Sequence, residues 1–206
     1  MPSAAVHLTV AHMLKDKLNV SDDSSFYLGA ISPDAVNLNG FAEENIRYAA
    51  HLRSKDYNEW KQNIKDYYIS HRSDYGDSED FFKGFLLHLY TDIAWDEVVQ
   101  PGLFEHLKAS GFSDAQLKDE KWAELDRIDS VIYHDERYKE VLKRLAKAKG
   151  KAISTVDALQ LEKFRDAVSA ETCPVTSDKP VFLTCQSIQA AADKAFEYMQ
   201  HLTNDR

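Results

Sequence analysis

Cysteine and glycine are scarce in this chain, and a surplus of positive charge is missing altogether. Cys173 and Cys185 are the two cysteines among 206 residues. They form no CxxC pair and are too few for a disulfide framework, which points to an intracellular, cytoplasmic home. Acidic residues number 34 against 25 basic ones, for a net charge of −9. Such a surface repels nucleic acid and anionic membranes at long range, so no nucleic-acid partner is expected, although a local basic pocket is compatible with it. No uninterrupted apolar run is present. The most apolar stretch, Phe81 to Val99, is broken by Lys83, His88, Asp92, Asp96 and Glu97, so no transmembrane segment is expected. Met1-Pro2-Ser3-Ala4-Ala5 lacks the basic region and apolar run of a secretory signal. Repeats and low-complexity tracts are absent too.

Apolar residues make up 44% of the chain and charged residues 29%, an ordinary globular composition. The length suits one domain over 1–206 with a full core. Seven glycines and five prolines leave long amphipathic stretches unpunctuated, with no alternating strand pattern, so an all-α bundle is expected. Helices are predicted from Ala4 to Leu18, around Tyr57, Trp60, Ile64 and Tyr67, and from an N-cap at Ser78 to a stop at Pro101-Gly102. A long helix is predicted from Lys118 to Lys149 with a break near His134. Two more should span Val156 to Val168 and Ser187 to Leu202, with a loop from Glu171 to Pro180. The apolar segment Phe26 to Ile31 must leave the helical region before Pro33, which puts Asp34 at a turn beside an apolar wall.

The chemistry concentrates in Gly84-Phe85-Leu86-Leu87-His88-Leu89-Tyr90-Thr91-Asp92. His88 and Asp92 are four apart and share a helix face, while the other faces carry Phe82, Leu86, Leu87, Leu89, Tyr90, Ile93 and Ala94. A helix apolar on nearly every side is buried, and an ionised carboxylate within it needs a cation partner. A divalent metal also explains the histidine; a plain His–Asp hydrogen bond or an arginine partner is the bland alternative. Gly84, one turn earlier, leaves room for a close approach. His7 shares a face with Val10, Ala11, Leu14 and Leu18 and points inward. His12 lies about 140° further round the helix and is expected to be exposed. His51 follows Tyr48-Ala49-Ala50.

Taken in order, His7, Tyr27-Leu28-Gly29-Ala30-Ile31-Ser32-Pro33-Asp34, His51 and Gly84-x-x-x-His88-x-x-x-Asp92 resemble the zinc-dependent phospholipase C family of all-helical hydrolases. The likeness covers residues 5 to 97, and the Leu-Gly-x-Ile-x-Pro-Asp segment is its most specific part. It implies a bundle of the phospholipase C type and a metal-dependent, binuclear hydrolase of phosphoester bonds, in which a hydroxide bridging two metals attacks phosphorus. Asp34, His51, His88 and Asp92 would hold one zinc; His7 and Asp92 would hold a second, with Asp92 bridging. Asp34 would be ligand, general base or both. The family's N-terminal tryptophan ligand is not matched by Met1-Pro2. Its third zinc site is not matched by Trp95-Asp96-Glu97-Val98-Val99, so two ions are expected, with manganese or iron as substitutes for zinc. The substrate would be a small phosphoester or a phospholipid.

Other residues are weaker candidates. Asp129 and Asp96 could be extra ligands or support the ligands; Arg53, His71 and Arg72 could bind substrate phosphate. Two further readings stay open. One is a non-catalytic helical protein that binds metal for structure or sensing. The other is an HD-type phosphohydrolase, whose adjacent His-Asp pair is matched only by His134-Asp135, in a charged run.

Overall fold

The computed structural model describes residues 2–170, 176 and 178–204. Among these the fold is all-α, with no strand beyond an isolated bridge between Ile153 and Val156. In chain order come α1 (Ala4–Leu14), α2 (Asp23–Gly29), a 3-10 helix (Ser32–Asn37), α3 (Glu44–Ala50), α4 (Tyr57–His71) and a second 3-10 helix (Arg72–Ser78). They are followed by α5 (Glu79–Val98), α6 (Gln100–Ala109), α7 (Leu117–Tyr133), α8 (Glu136–Leu145), α9 (Ala158–Ala170) and α10 (Cys185–Asn204). No helix among the described residues is long and apolar enough to cross a membrane.

Helix α5 is the axis of the bundle. Every residue from Gly84 to Asp96 is buried, as a helix apolar all round requires. It packs most extensively against α2 on one side and α10 on another. The α2–α5 crossing is tight because glycine faces glycine. A Cβ on Gly84 would sit 2.1 Å from the Phe26 carbonyl oxygen, and one on Gly29 would sit 2.0 Å from that of Phe81. The room that Gly84 leaves is therefore filled by the backbone of α2.

Local signals set the helix ends. Asp22 caps α2 by accepting from the amides of Ser24 and Ser25, Asp56 caps α4 through Asn58 and Glu59, and Asp135 caps α8 through Arg137. The predicted break near His134 is thus the junction of α7 and α8. Ser78 makes no capping hydrogen bond; its hydroxyl instead receives one from Lys151. Pro101 ends the preceding pattern as expected but also lies in the first turn of α6, where a missing N–H costs nothing. Helix α1 ends at Leu14, four residues before the predicted end. The predicted loop from Glu171 to Pro180 lies largely outside the described residues, as does Cys173; Cys185 is free and exposed.

The buried Asp80 fastens the start of α5 to the segment before α2. Its carboxylate accepts from the Ser21 amide (2.9 Å), the Ser21 hydroxyl (2.7 Å) and the Asp22 amide (2.8 Å). Burial alone would raise its pKa, but these donors and Lys83 outweigh it and hold the carboxyl below its ordinary value. A depressed carboxylate contributes stability that is present above the unfolded value of about 4 and lost as pH falls through the folded one. Asp80→Ala is expected to cost about 2 kcal/mol at pH 7. In urea denaturation, the gap to wild type should shrink as pH falls below about 4. Gly84→Ala is expected to lose about 3 kcal/mol or more in the same assay, because backbone must move to admit the methyl.

Candidate metal centre

Four elements bring five predicted groups together. His7 comes from α1, Asp34 from the first 3-10 helix, His51 from the end of α3, and His88 and Asp92 from α5. His7, His51, His88 and Asp92 are each at most 2% exposed, and Asp34 is 9% exposed. Asp34 does not stand at an open turn: Pro33 opens a short helix that carries it into the core boundary.

Backbone carbonyls fix two of the imidazoles. His88 Nδ1 donates to the Ala30 carbonyl at 2.8 Å, and His51 Nδ1 donates to that of Arg47 at 2.9 Å. A carbonyl can only accept, so both Nδ1 atoms carry hydrogen and both Nε2 atoms are left to face inward. Those two Nε2 atoms lie 3.3 Å apart, where two bare lone pairs repel unless a cation, a proton or a metal ion, lies at them. The His7 ring stacks on His88, with centroids 3.7 Å apart and planes 9° from parallel. Trp60 braces His51 by donating its indole N–H to the His51 carbonyl at 2.9 Å.

Asp92 is shared by all three imidazoles. Its Oδ1 lies 3.4 Å from His7 Nε2, while Oδ2 lies 3.7 Å from His51 Nε2 and 3.8 Å from His88 Nε2. Asp34 Oδ1 lies 3.4 Å from His51 Nε2. Burial opposes ionisation of Asp92, but His7, His88 and His51 outweigh it and hold the carboxyl well below the usual range. Asp34 is lowered in the same way, against burial, chiefly by His51 and His88. Burial and the neighbouring His7 push His88 down to about 3, which keeps it neutral. His51 moves up, because Asp34 and Asp92 overcome its burial.

The groups present fit a metal ion. Neither oxygen of Asp92 and neither ring nitrogen of His7 has a hydrogen-bond partner among the described residues. Leaving such atoms buried and unmatched is costly, and a divalent cation would satisfy the Asp92 oxygens together with His7 Nε2, the ring nitrogen 3.4 Å from Asp92. Two sets of three ligand atoms each lie within 4.8 Å of one another: His7, His88 and Asp92, and Asp34, His51 and His88. These buried groups could hold a metal, and imidazole with carboxylate suits zinc and its neighbours.

The remaining candidates are placed differently. Asp96, one turn beyond Asp92, pairs with Arg53 Nη2 at 2.9 Å. Asp129 accepts the Ser3 hydroxyl at 2.6 Å, and Ser3 caps α1, so Asp129 anchors the helix that carries His7. His71 and Arg72 are not brought to the cluster. His71 stacks on Tyr67 with centroids 4.1 Å apart, and Arg72 lies over Tyr68 beside a surface groove. His12 is half-buried rather than exposed, because Tyr27 reaches its Nδ1 at 2.9 Å. His134 is exposed and Asp135 is occupied as a helix cap, so the His-Asp pair lies outside the cluster.

Two features carry no clear sequence signal. Glu124 is 1% exposed and accepts the amides of Val181, Phe182 and Leu183, which it can do only once the distant segment folds over it. Lys121 stands in the charged run Lys118-Asp119-Glu120, yet it lies one turn before the buried Leu125 and is itself half-buried; the spacing to Leu125 is the one available hint.

His88→Ala and Asp92→Asn are expected to lower bound metal severalfold by elemental analysis, while His12→Ala leaves it unchanged. Unchanged metal in the first two variants contradicts the assignment. No protein-family model, curated protein or solved structure matches the chain.

Proposed function

We propose that the chain is a zinc-dependent hydrolase of phosphoester bonds with a binuclear centre. The observation that carries the reading is the two-sided use of Asp92: one oxygen faces His7 and the other faces His51 and His88. A carboxylate so placed suits two cations better than one. Asp34, His51, His88 and Asp92 would hold the first ion, and His7 with Asp92 the second. The ordered motifs that resemble the zinc-dependent phospholipases C support the same reading. When bound, zinc supplies Lewis acidity, stabilising charge on phosphoryl oxygens and easing loss of a proton from water near pH 7.

The protein's own residues divide the remaining work. The backbone-anchored His51 and His88 and the stacked His7 hold their nitrogens in place before any ligand arrives, so little reorganisation is needed. Asp34 is the most exposed of the five, with 13% of its side chain accessible, so a substrate would meet the cluster first at this residue. Its lowered pKa leaves Asp34 ionised at neutral pH but a weak base, so it would serve first as a metal ligand and second as a proton acceptor. Arg53, close to the cluster through Asp96, is the candidate cation for a phosphate oxygen.

The deep burial of the other four groups favours a competing reading, a structural metal site. Hydrolysis separates the two. Bis(p-nitrophenyl) phosphate and p-nitrophenyl phosphate should be tested on the protein as purified, after chelation and after zinc readdition. Cleavage of either is expected, lost with chelator, restored by zinc, and reduced at least about a hundredfold by Asp34→Asn. Full metal occupancy with no cleavage of either ester, or of a phospholipid, supports the structural site.

A further inference from the structure

Of the three imidazoles, His51 is the one least anchored by its own helix. Helix α3 spans only Glu44–Ala50, has Ala50 as its one buried residue and packs chiefly against the first 3-10 helix. His7 and His88 stand instead on helices lined with buried residues. The turn after His51 is also unusual. Leu52 lies in the left-handed region, at φ 51°, which leucine rarely adopts and which glycine commonly takes just past a helix end. Such a conformation persists where the surrounding contacts over-determine it. Here the Leu52 carbonyl accepts from Asn63 Nδ2 at 3.2 Å, and the Arg53 amide donates to the Tyr48 carbonyl at 2.8 Å. The Arg53 side chain then reaches back to α5, where Nη2 donates to the buried Asp96 at 2.9 Å. Its guanidinium lies 4.6 Å from the Trp60 ring, whose indole N–H holds the His51 carbonyl. Asp96 is one turn beyond Asp92 on the same helix. The chain from His51 to Arg53 is thereby pinned to the helix that carries His88 and Asp92.

We propose that Arg53 is a positioning residue for the metal centre: through Asp96 it clamps the left-handed turn at Leu52 and so sets the place of His51 Nε2 against His88 and Asp92. His51 Nε2 lies 3.3 Å from His88 Nε2 and 3.4 Å from Asp34 Oδ1, so it is the group that joins the α5 ligands to Asp34. Without the clamp the turn would relax toward ordinary backbone and carry the preceding residue with it. Metal–ligand distances tolerate a displacement of only about 0.2 Å, so a small relaxation there would reach the ion. The inference rests on His51 being a metal ligand and not on the ester chemistry. It is also separate from the phosphate contact proposed for Arg53: a clamp acts on metal affinity, a phosphate contact on substrate affinity.

The test uses the full-length protein, stripped of metal and reconstituted with cobalt(II), whose visible absorption reports the coordination geometry. Affinity is read by competition with a chelator, and stability by urea unfolding of the metal-free protein. Arg53→Ala is expected to weaken cobalt binding about tenfold or more, the scale on which groups that orient metal ligands act, and to change the absorption bands of the bound ion. Arg53→Gln keeps a donor for Asp96 and should lose less. Lys61→Ala is the control. It breaks a comparable ion pair from α4 to α5, Lys61 to Glu97 at 2.8 Å, but leaves the contacts of the His51–Arg53 segment intact, and it should keep the wild-type affinity and spectrum. The proposal is overturned if Arg53→Ala, or Arg53→Gln should the alanine variant fail to fold, binds cobalt with wild-type affinity and spectrum, whatever its loss of stability. It is also overturned if Lys61→Ala loses as much, or if wild type binds no cobalt. Failure of every ester to be cleaved, with the Arg53 effect intact, would count against the hydrolase reading alone.

Discussion

A carboxylate with no exposed surface, buried at the centre of a helical bundle, governs this structure. Removing the Asp92 charge from water costs several kcal/mol unless positive charge is supplied nearby. The bundle answers with three imidazoles, each from a different helix, and with no hydrogen bond to either oxygen among the described residues. A protein needing only stability would fill this space with apolar side chains. The arrangement makes physical sense as the receiving half of an interaction with cations.

Much of the surrounding architecture can be understood as holding that arrangement still. The glycine-to-glycine crossing lets α2 lie close enough to α5 for the Ala30 carbonyl to receive His88 Nδ1. Widening that crossing by a methyl would move the carbonyl that fixes the tautomer. Trp60 and the Arg47 carbonyl hold His51 from two sides. Asp129 secures Ser3, and Ser3 secures the first turn of the helix that presents His7. Stability and site geometry are thus carried by the same contacts, so substitutions in this frame should disturb both together.

The i, i+4 pair His88 and Asp92 on an all-round apolar helix is legible in the sequence because burial and chemistry act on one short segment. So is the inward face of His7, and so is the all-α class. Other features depend on partners far along the chain. Glu124 is an ordinary surface acid by local pattern, and its burial follows from amides 57 to 59 residues later. Helix α6 was hidden because Pro101-Gly102 signals a stop as strongly as a start. His12 looked exposed by helix geometry, yet Tyr27 from α2 covers it. Lys121 sat in a charged run whose average looks solvated, and only the stripe continuing from it shows the inward turn. The placement of Arg53 beside Asp96, and of His71 and Arg72 elsewhere, is likewise tertiary information.

The central proposal is that Asp92 would serve two metal ions, and anomalous diffraction tests it most directly. Crystals of protein reconstituted with zinc would be measured above and below the zinc absorption edge. The account requires two anomalous peaks flanking Asp92, one beside His7 and one among Asp34, His51 and His88. A cluster without any peak after reconstitution, or with zinc bound only at surface histidines such as His134 or His201, would contradict it.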